Sequence, residues 1–505
     1  MMNEMRHVHK LTIILYVFQG IKASAWSLIV LLFLGAGSDL NQLLNLPFTS
    51  FQLTLIILGV FLLVLIVFSW LRWYRMTYQL VNDSITIKHG VFIRHDRTIH
   101  KRRIHSINFT QSIFHQVFNL TEVQIETAGS DLEVDAVLKA IPYQEAVALK
   151  EKFLNLTNTH LVEEELPIDG EVEAVDEEQV EEEQPIIKEK KISIYHLLIA
   201  GATTGRVGAI FGIVFLLLSE IDNFLSEGDY ERVVDWVSAQ SIVAYFSLVF
   251  LYLLIVIIIG MIGYVNRYGR FSITRESEML YIERGLIEKK SLSIPVSRIQ
   301  AVLFKQNLFR MPFSLGAVSV ELAGGEKDDK EAMQTVIFPL LRKKEWANFL
   351  KELLPEYQED LSEMNHIPRK SFTFKALRMT IIYFVGLGVV HYFYSELVLV
   401  KLGVYLFALL GLYLLHRIPA FRRSGEQLVM QYFQVVMLSK EVAIVKKKDI
   451  QALETQGSRL ARRLKLGYLN LSIMNNFLGR QFTLGFLSEE QLEEISEWYI
   501  SGHHD

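Results

Sequence analysis

No cysteine occurs anywhere in the 505 residues. Disulfides and thiol catalysis are therefore excluded, and structural zinc loses its favoured ligand. Enzyme signatures are missing too. The chain has no Walker loop, no G-x-S-x-G, no H-E-x-x-H and no dinucleotide fingerprint. Gly324-Gly325 reads as a turn and not as a phosphate loop. The expectation is a protein that is not an enzyme and carries no cofactor. No small-residue motif clearly ends the first apolar segment, so no cleavable signal peptide is expected.

The chain is rich in apolar residues: 51% are hydrophobic and mean hydropathy is +0.26, yet 21% are charged. Apolar segments must therefore alternate with polar domains. Six stretches approach the length needed to cross a hydrocarbon core of roughly 30 Å. They run over 11–34, 51–71, 192–218, 242–264, 374–394 and 397–415. Each neighbouring pair reads as a helical hairpin; only Ser395-Glu396 separates the last two. Acidic side chains are absent from all six.

Basic residues set the expected orientation. Arg6 and Lys10 precede the first span, Arg72 and Arg75 follow the second, and Arg267 and Arg270 follow the fourth. Arg369, Lys370, Arg417, Arg422 and Arg423 flank the last pair. The loop before the fourth span is acidic apart from Arg232. Both termini and all polar domains are thus expected in the cytoplasm of a multi-pass cell-membrane protein.

The polar parts repeat. Residues 78–129 align with 273–324 without a gap, with about fourteen of 52 positions identical. Gly90 falls on Gly285, Arg103-Ile104 on Arg298-Ile299, and Gln111 on Gln306. Phe114 and Phe118 fall on Phe309 and Phe313, and Glu126 with Ala128-Gly129 on Glu321 with Ala323-Gly324. A weaker third copy places Ile450 on Ile299 and Leu466-Gly467 on Leu315-Gly316; Ser472 replaces the glutamate. Short alternating runs predict strands, Gly90 and Gly285 predict tight turns, and each copy should close with an amphipathic helix. Those helices are predicted over 142–154 and 339–354, each opened by proline, and over 488–500, where Ser488 and Gln491 form a capping box.

The expected order is seven segments: a transmembrane pair over 1–75, an α+β domain over 76–158, a linker over 159–190, a second pair over 191–266, a second domain over 267–356, a third pair over 357–417 and a third domain over 418–505. Twelve Asp or Glu residues lie between Glu163 and Glu183 with no aromatic or basic residue among them, a composition that predicts a disordered spacer.

The signature Arg-Ile-x-x-(Ile/Val), then Phe, then Leu-(Thr/Gly), then Val-x-(Ile/Val)-Glu-x-Ala-Gly resembles the bacterial pleckstrin-homology-like (PH-like) membrane domain. Three such domains behind helix pairs resemble the YdbT-like family over nearly the whole chain. The resemblance implies a PH-like fold, two packed antiparallel sheets with a C-terminal helix. It also implies a partner, a smaller membrane protein with one such domain, and by family analogy a role in envelope stress or defence. It supplies no catalytic motif.

Four groups of residues are candidates for function. Lys88, Arg94, Arg97, Lys101, Arg102 and Arg103 fall within sixteen residues. They suit anionic lipid headgroups, each basic residue contributing about 1 kcal/mol near a charged surface; an ordinary exposed strand face is the alternative. His95 and His100 are interleaved and His105 follows, but steps of five do not gather metal ligands on one strand face. Lys22 and Arg206 sit inside predicted spans, where a charge costs about 2.5–3.5 kcal/mol. They mark a transport or lipid-handling path, or they snorkel to the surface. Gly201, Gly205, Gly208 and Gly212 form small-xxx-small patterns that suit close helix packing or a partner subunit. Together the residues favour a membrane scaffold whose domains bind proteins, lipid headgroups or each other, with a transporter using Lys22 and Arg206 as the rival.

Overall fold

The computed structural model describes residues 5–24, 49–81, 83–127, 136–160, 188–204, 232, 235–236, 239, 241–323, 334–359, 363–393, 398–435, 437–474 and 480–501. The chain divides into two compact units.

The first unit holds Met1–Ser130, Val134–Glu182 and Glu288–Ser293. It opens with β1 (Arg6–His7), then α1 (Thr12–Ala23) and α2 (Ser50–Tyr74). Next come β2 (Thr77–Val81), β3 (Ser84–His89), β4 (His95–His100) and β5 (Ile104–Gln111). The short helix α3 (Ile113–Val117), β6 (Leu120–Thr127), β7 (Ala136–Pro142) and α4 (Tyr143–His160) complete it. One antiparallel sheet has the order β1-β2-β3-β4. In the other, β5 pairs with β6, and β6 with β7. Period-two alternation explains the core between them: Ile85 and Ile87, Ile107, Val123, Ile125 and Leu138 point inward and meet Leu149 and Phe153 of α4.

The second unit begins with β8 (Lys188–Lys191), α5 (Ile194–Ala202) and α6 (Ile242–Tyr268). There follow β9 (Ser272–Glu276), β10 (Met279–Arg284), β11 (Lys289–Pro295, whose residues up to Ser293 belong to the first unit), β12 (Ile299–Asn307), β13 (Leu315–Leu322), β14 (Gln334–Arg342) and α7 (Trp346–Leu353). After β15 (Asn365–His366) come α8 (Lys370–Phe393) and α9 (Val398–His416). The chain ends with β16 (Ala420–Ser424), β17 (Gln427–Gln434), β18 (Ser439–Lys446), β19 (Ile450–Gln456), α10 (Arg459–Arg463), β20 (Leu466–Ile473), β21 (Arg480–Ser488) and α11 (Glu489–Ile500). A seven-stranded sheet runs β14-β13-β12-β18-β17-β16-β15 and so crosses from the second repeat into the third. A separate sheet, β19-β20-β21, closes the last domain. Its core gathers Phe421, Leu428, Leu469, Phe482, Leu484 and Trp498.

A strand just before each helix pair hydrogen-bonds with the first strand after it. β1 pairs with β2, β8 with β9, and β15 with β16. The strands before and after each pair therefore lie side by side in the same sheet.

Three helices among the described residues are long and apolar enough to cross: Gln52–Tyr74, Ile242–Tyr268 and Leu399–His416. Of the first and third predicted spans, residues 11–24 and 192–204 are described and the rest fall outside the described residues. The fifth forms the 24-residue α8, which carries Lys370, Lys375 and Arg378. In the first hairpin Trp73 donates from Nε1 to the Val8 carbonyl at 2.9 Å, and the Arg72 guanidinium stands 4.3 Å from the Tyr16 ring centre.

Two predicted helix starts are corrected. Pro142 is the last residue of β7, and its helix begins at Tyr143. Pro339 lies inside β14, and its helix begins only at Trp346. A missing N–H suits an edge strand as well as a helix start. β14 is such an edge, and its register with β13 slips between Gly316 and Val318, where Leu341 and Phe338 stand opposite. The third closing helix does have the predicted capping box of Ser488 and Gln491.

Candidate interaction surfaces

The junction between the second and third repeats is built by strand addition. β12 and β18 run antiparallel through seven opposed pairs, from Ala301 with Val445 to Asn307 with Ser439. Charges cross it. Lys305 Nζ lies 2.9 Å from Glu441 Oε1. Arg480 of β21 places Nη1 2.5 Å from Glu321 Oε1 and Nη2 3.2 Å from Glu441 Oε2. Tyr432 donates its hydroxyl to Glu441 Oε2 at 2.6 Å. Both carboxylates are fully buried.

The two carboxylates are driven apart by their surroundings. Burial pushes Glu321 up to about 7, against the pull of Arg480 and with the help of Glu441. Burial alone would raise Glu441 as well, but Lys305, Tyr432 and Arg480 hold it below the usual range. One carboxylate thus stays charged while the other titrates near neutrality.

The first unit contains the same join with an amide in place of the guanidinium. Lys289, Lys290 and Ser291 stand opposite Gln111, Thr110 and Phe109 of β5. Ser293 donates its backbone N–H to Asn108 Oδ1 at 2.9 Å, and Asn108 Nδ2 donates to Glu126 at 3.0 Å. Glu126 is the repeat partner of Glu321, so one signature glutamate is held by an amide in one copy and by a guanidinium in the next.

A second surface lies where the domains meet their membrane helices. Phe114 and Phe118 on and beside α3, and their matches Phe309 and Phe313, are all more than half exposed. The repeated aromatics are therefore not core residues. Phe114 stands 6.5 Å from Phe18 of α1, and Phe92, at the tip of the β3–β4 hairpin, 6.0 Å from Phe68 of α2. Leu11, Ile14, Leu15, Phe114, Phe118 and Leu120 line an apolar groove there. In the second repeat Arg310 is buried at the C-terminus of α5. It donates from Nη2 to the Ala200 carbonyl at 2.7 Å and from Nε to Thr203 Oγ1 at 3.0 Å. A cation at that end also complements the helix dipole.

The six basic candidates of domain one are not brought into one pocket. Lys88 pairs loosely with Asp96 at 3.8 Å, and Arg94 is exposed beside the hairpin tip. Arg97 is half-buried on β4. Lys101 is buried in a 3-10 turn and donates its backbone N–H to the Asp83 carbonyl at 2.7 Å. Arg102 and Arg103 are exposed at the far end of β4, about 17 Å of strand from the tip. Lys22 is exposed in the last turn of α1. Arg206, Gly205, Gly208 and Gly212 lie outside the described residues. Gly201 is buried against α6; a Cβ there would sit 2.6 Å from Met261 Cα and 3.1 Å from the Gly260 carbonyl.

The sequence reading missed Arg480 and Glu441. Both belong to the third copy, which lacks the signature glutamate, and neither has a counterpart of like charge in the others. Paired sheets that carry matched glutamates and repeat across one chain point to a known architecture. The model of the bacterial PH domain family matches residues 28–157 and 223–357, together just over half of the chain. The chain belongs to the bacterial PH domain family. The UPF0699 transmembrane protein YdbT of Bacillus subtilis (strain 168) is 29% identical over 451 residues, which cover 88% of this chain and 89% of that relative. This PH-domain chain is thus similar to that transmembrane protein along most of its length. The two matched regions correspond to the two stronger repeats.

Proposed function

We propose that this chain is a non-enzymatic membrane scaffold, with six spans in three pairs and three PH-like domains held in the cytoplasm. The carrying observation is the β12–β18 join, where one PH-like domain takes a strand of the next into its sheet and locks it with Arg480. Strand addition gives affinity through main-chain hydrogen bonds, and side chains give specificity. Domains that recognise one another this way are suited to recognise further PH-like domains, the smaller one-domain membrane protein among them. The exposed aromatics beside α1 and α2 support a bilayer-facing rim, and the spread basic residues support diffuse attraction to anionic lipid and not a single headgroup pocket.

The test places a photo-crosslinking residue at Arg102 or Lys448, both exposed, in living cells. Discrete protein adducts are expected, unchanged by Lys22→Leu and Arg206→Leu. Adducts to lipid alone, or adducts lost with those two substitutions, would contradict the scaffold and favour a path through the helices.

A further inference from the structure

The chain makes one kind of junction twice and leaves both halves of a third unused. In each join, the strand that follows the 3-10 turn of one repeat receives the strand before the 3-10 turn of the next. The acceptor–donor pairs are β5 with residues 289–291 and β12 with β18. The register is the same in both. Gln111 faces Lys289 as its match Gln306 faces Lys440, and Phe109 faces Ser291 as Phe304 faces Val442. Two equivalent strands remain. β4, the first repeat's donating strand, is an edge strand of its sheet, and β19, the third repeat's receiving strand, is an edge strand of its own. Among the described residues no strand pairs with the outer edge of either. Ala452 and Thr455 of β19 are exposed, whereas their matches Ala301 and Phe304 are completely buried.

We propose that β4 of one chain adds to β19 of a second copy, so that these proteins assemble head to tail through a third version of their own internal junction. The inference rests on the scaffold reading and names its partner. Carrying the shared register over sets Gln456 opposite His95, Glu454 opposite Arg97, and Leu453 opposite Thr98. Glu454 and Arg97 then form a cross-strand pair of opposite charge, at the position filled by Leu303 and Ala443 in the join between repeats two and three. The contact is heterologous, since it joins two different surfaces. It therefore closes into a ring or extends as a row within the membrane plane. It also covers two bare sheet edges that would otherwise be open to unspecific pairing.

The absence of native cysteine makes the test direct. Two separately tagged full-length chains, one carrying Arg97→Cys and the other Glu454→Cys, are co-expressed and their membranes oxidised. A disulfide-linked product bearing both tags is expected. Moving the first cysteine to His100 should abolish it. An intrachain control, Thr86→Cys with Thr98→Cys, reports that β4 is folded, since those hydroxyls lie 3.0 Å apart. With cysteines at His95 and Gln456, Arg97→Glu should lower the yield about fivefold, and Glu454→Arg in the other chain should restore it. No product carrying both tags, with the control disulfide formed, overturns the inference. A product equally strong from His100 does so too, because it reports collision without register. If a photo-crosslinker at Arg97 captures only a different membrane protein, self-assembly fails while the scaffold reading survives.

Discussion

Arg480 of the third repeat stands 2.5 Å from Glu321 of the second, and the same guanidinium reaches Glu441 at 3.2 Å. One side chain thereby bridges two fully buried carboxylates contributed by two different domains. Breaking such a cluster from one side leaves uncompensated charge, which costs about 3–5 kcal/mol. Arg480→Met should lower the melting temperature of the detergent-purified chain markedly. Adding Glu321→Gln and Glu441→Gln should recover much of the loss, because the buried charge is then gone. A melt unchanged by Arg480→Met would remove the cluster from the account.

The cluster also predicts a pH dependence. Burial holds Glu321 at about 7, whereas a glutamate in the unfolded chain titrates near 4.5. The folded protein thus binds this proton more tightly. The stability from this group is complete below about pH 4.5 and is lost as pH rises through 7. The full swing is on the order of 3 kcal/mol. Melting curves of wild type and Glu321→Gln, compared between pH 5 and pH 8, should show the extra fall in wild type alone.

Arg310 ties a PH-like domain to the helix before it through the Ala200 carbonyl and Thr203. Arg310→Ala leaves a buried helix end unsatisfied, at about 1–3 kcal/mol. Lysine cannot reproduce the two-pronged contact, so Arg310→Lys should rescue only part of it. Limited proteolysis of the purified chain, which reports local opening at Thr203-Thr204, should rank wild type most resistant, then lysine, then alanine.

Glycines on α6 and its partner differ sharply in what a methyl group would meet. At Gly201 it would press on the Met261 backbone, whereas at Gly263 nothing lies within 4 Å. Gly201→Ala should therefore lower thermal stability, and Gly263→Ala should leave it unchanged or raise it slightly through better helix propensity.

The exposed signature aromatics should touch lipid. A spin label at Phe114→Cys or Phe309→Cys in reconstituted bilayers should relax strongly with oxygen and weakly with a water-soluble nickel complex. The reverse order would place α3 and its counterpart in water.

Much of this fold was legible because hydropathy and repetition are strong signals. The fourth span, read over 242–264, is the helix Ile242–Tyr268, and the sixth, read over 397–415, is Val398–His416. Gly90 and Gly285 take the left-handed backbone, at φ of 109° and 106°, that their turn positions implied. Other features were hidden because they depend on distant partners. Proline marks helix starts and edge strands alike, which is why Pro142 and Pro339 misled. β1, β8 and β15 are two to four residues long and carry no period of their own. Repeat alignment could flag Glu126 and Glu321 as matched, but Arg480 lies 159 residues beyond Glu321, outside any local pattern. The basic run looked like one site because it is dense in sequence; a strand and a 3-10 turn spread it over both ends of β4.

The most direct test of the account is the side of the membrane on which the three domains lie. Single cysteines at Arg102, Lys289 and Lys448, one exposed position in each repeat, are offered a membrane-impermeant maleimide. The account predicts no labelling in intact cells and full labelling of all three once the membrane is opened. Labelling of any one of them from outside the intact cell would contradict it.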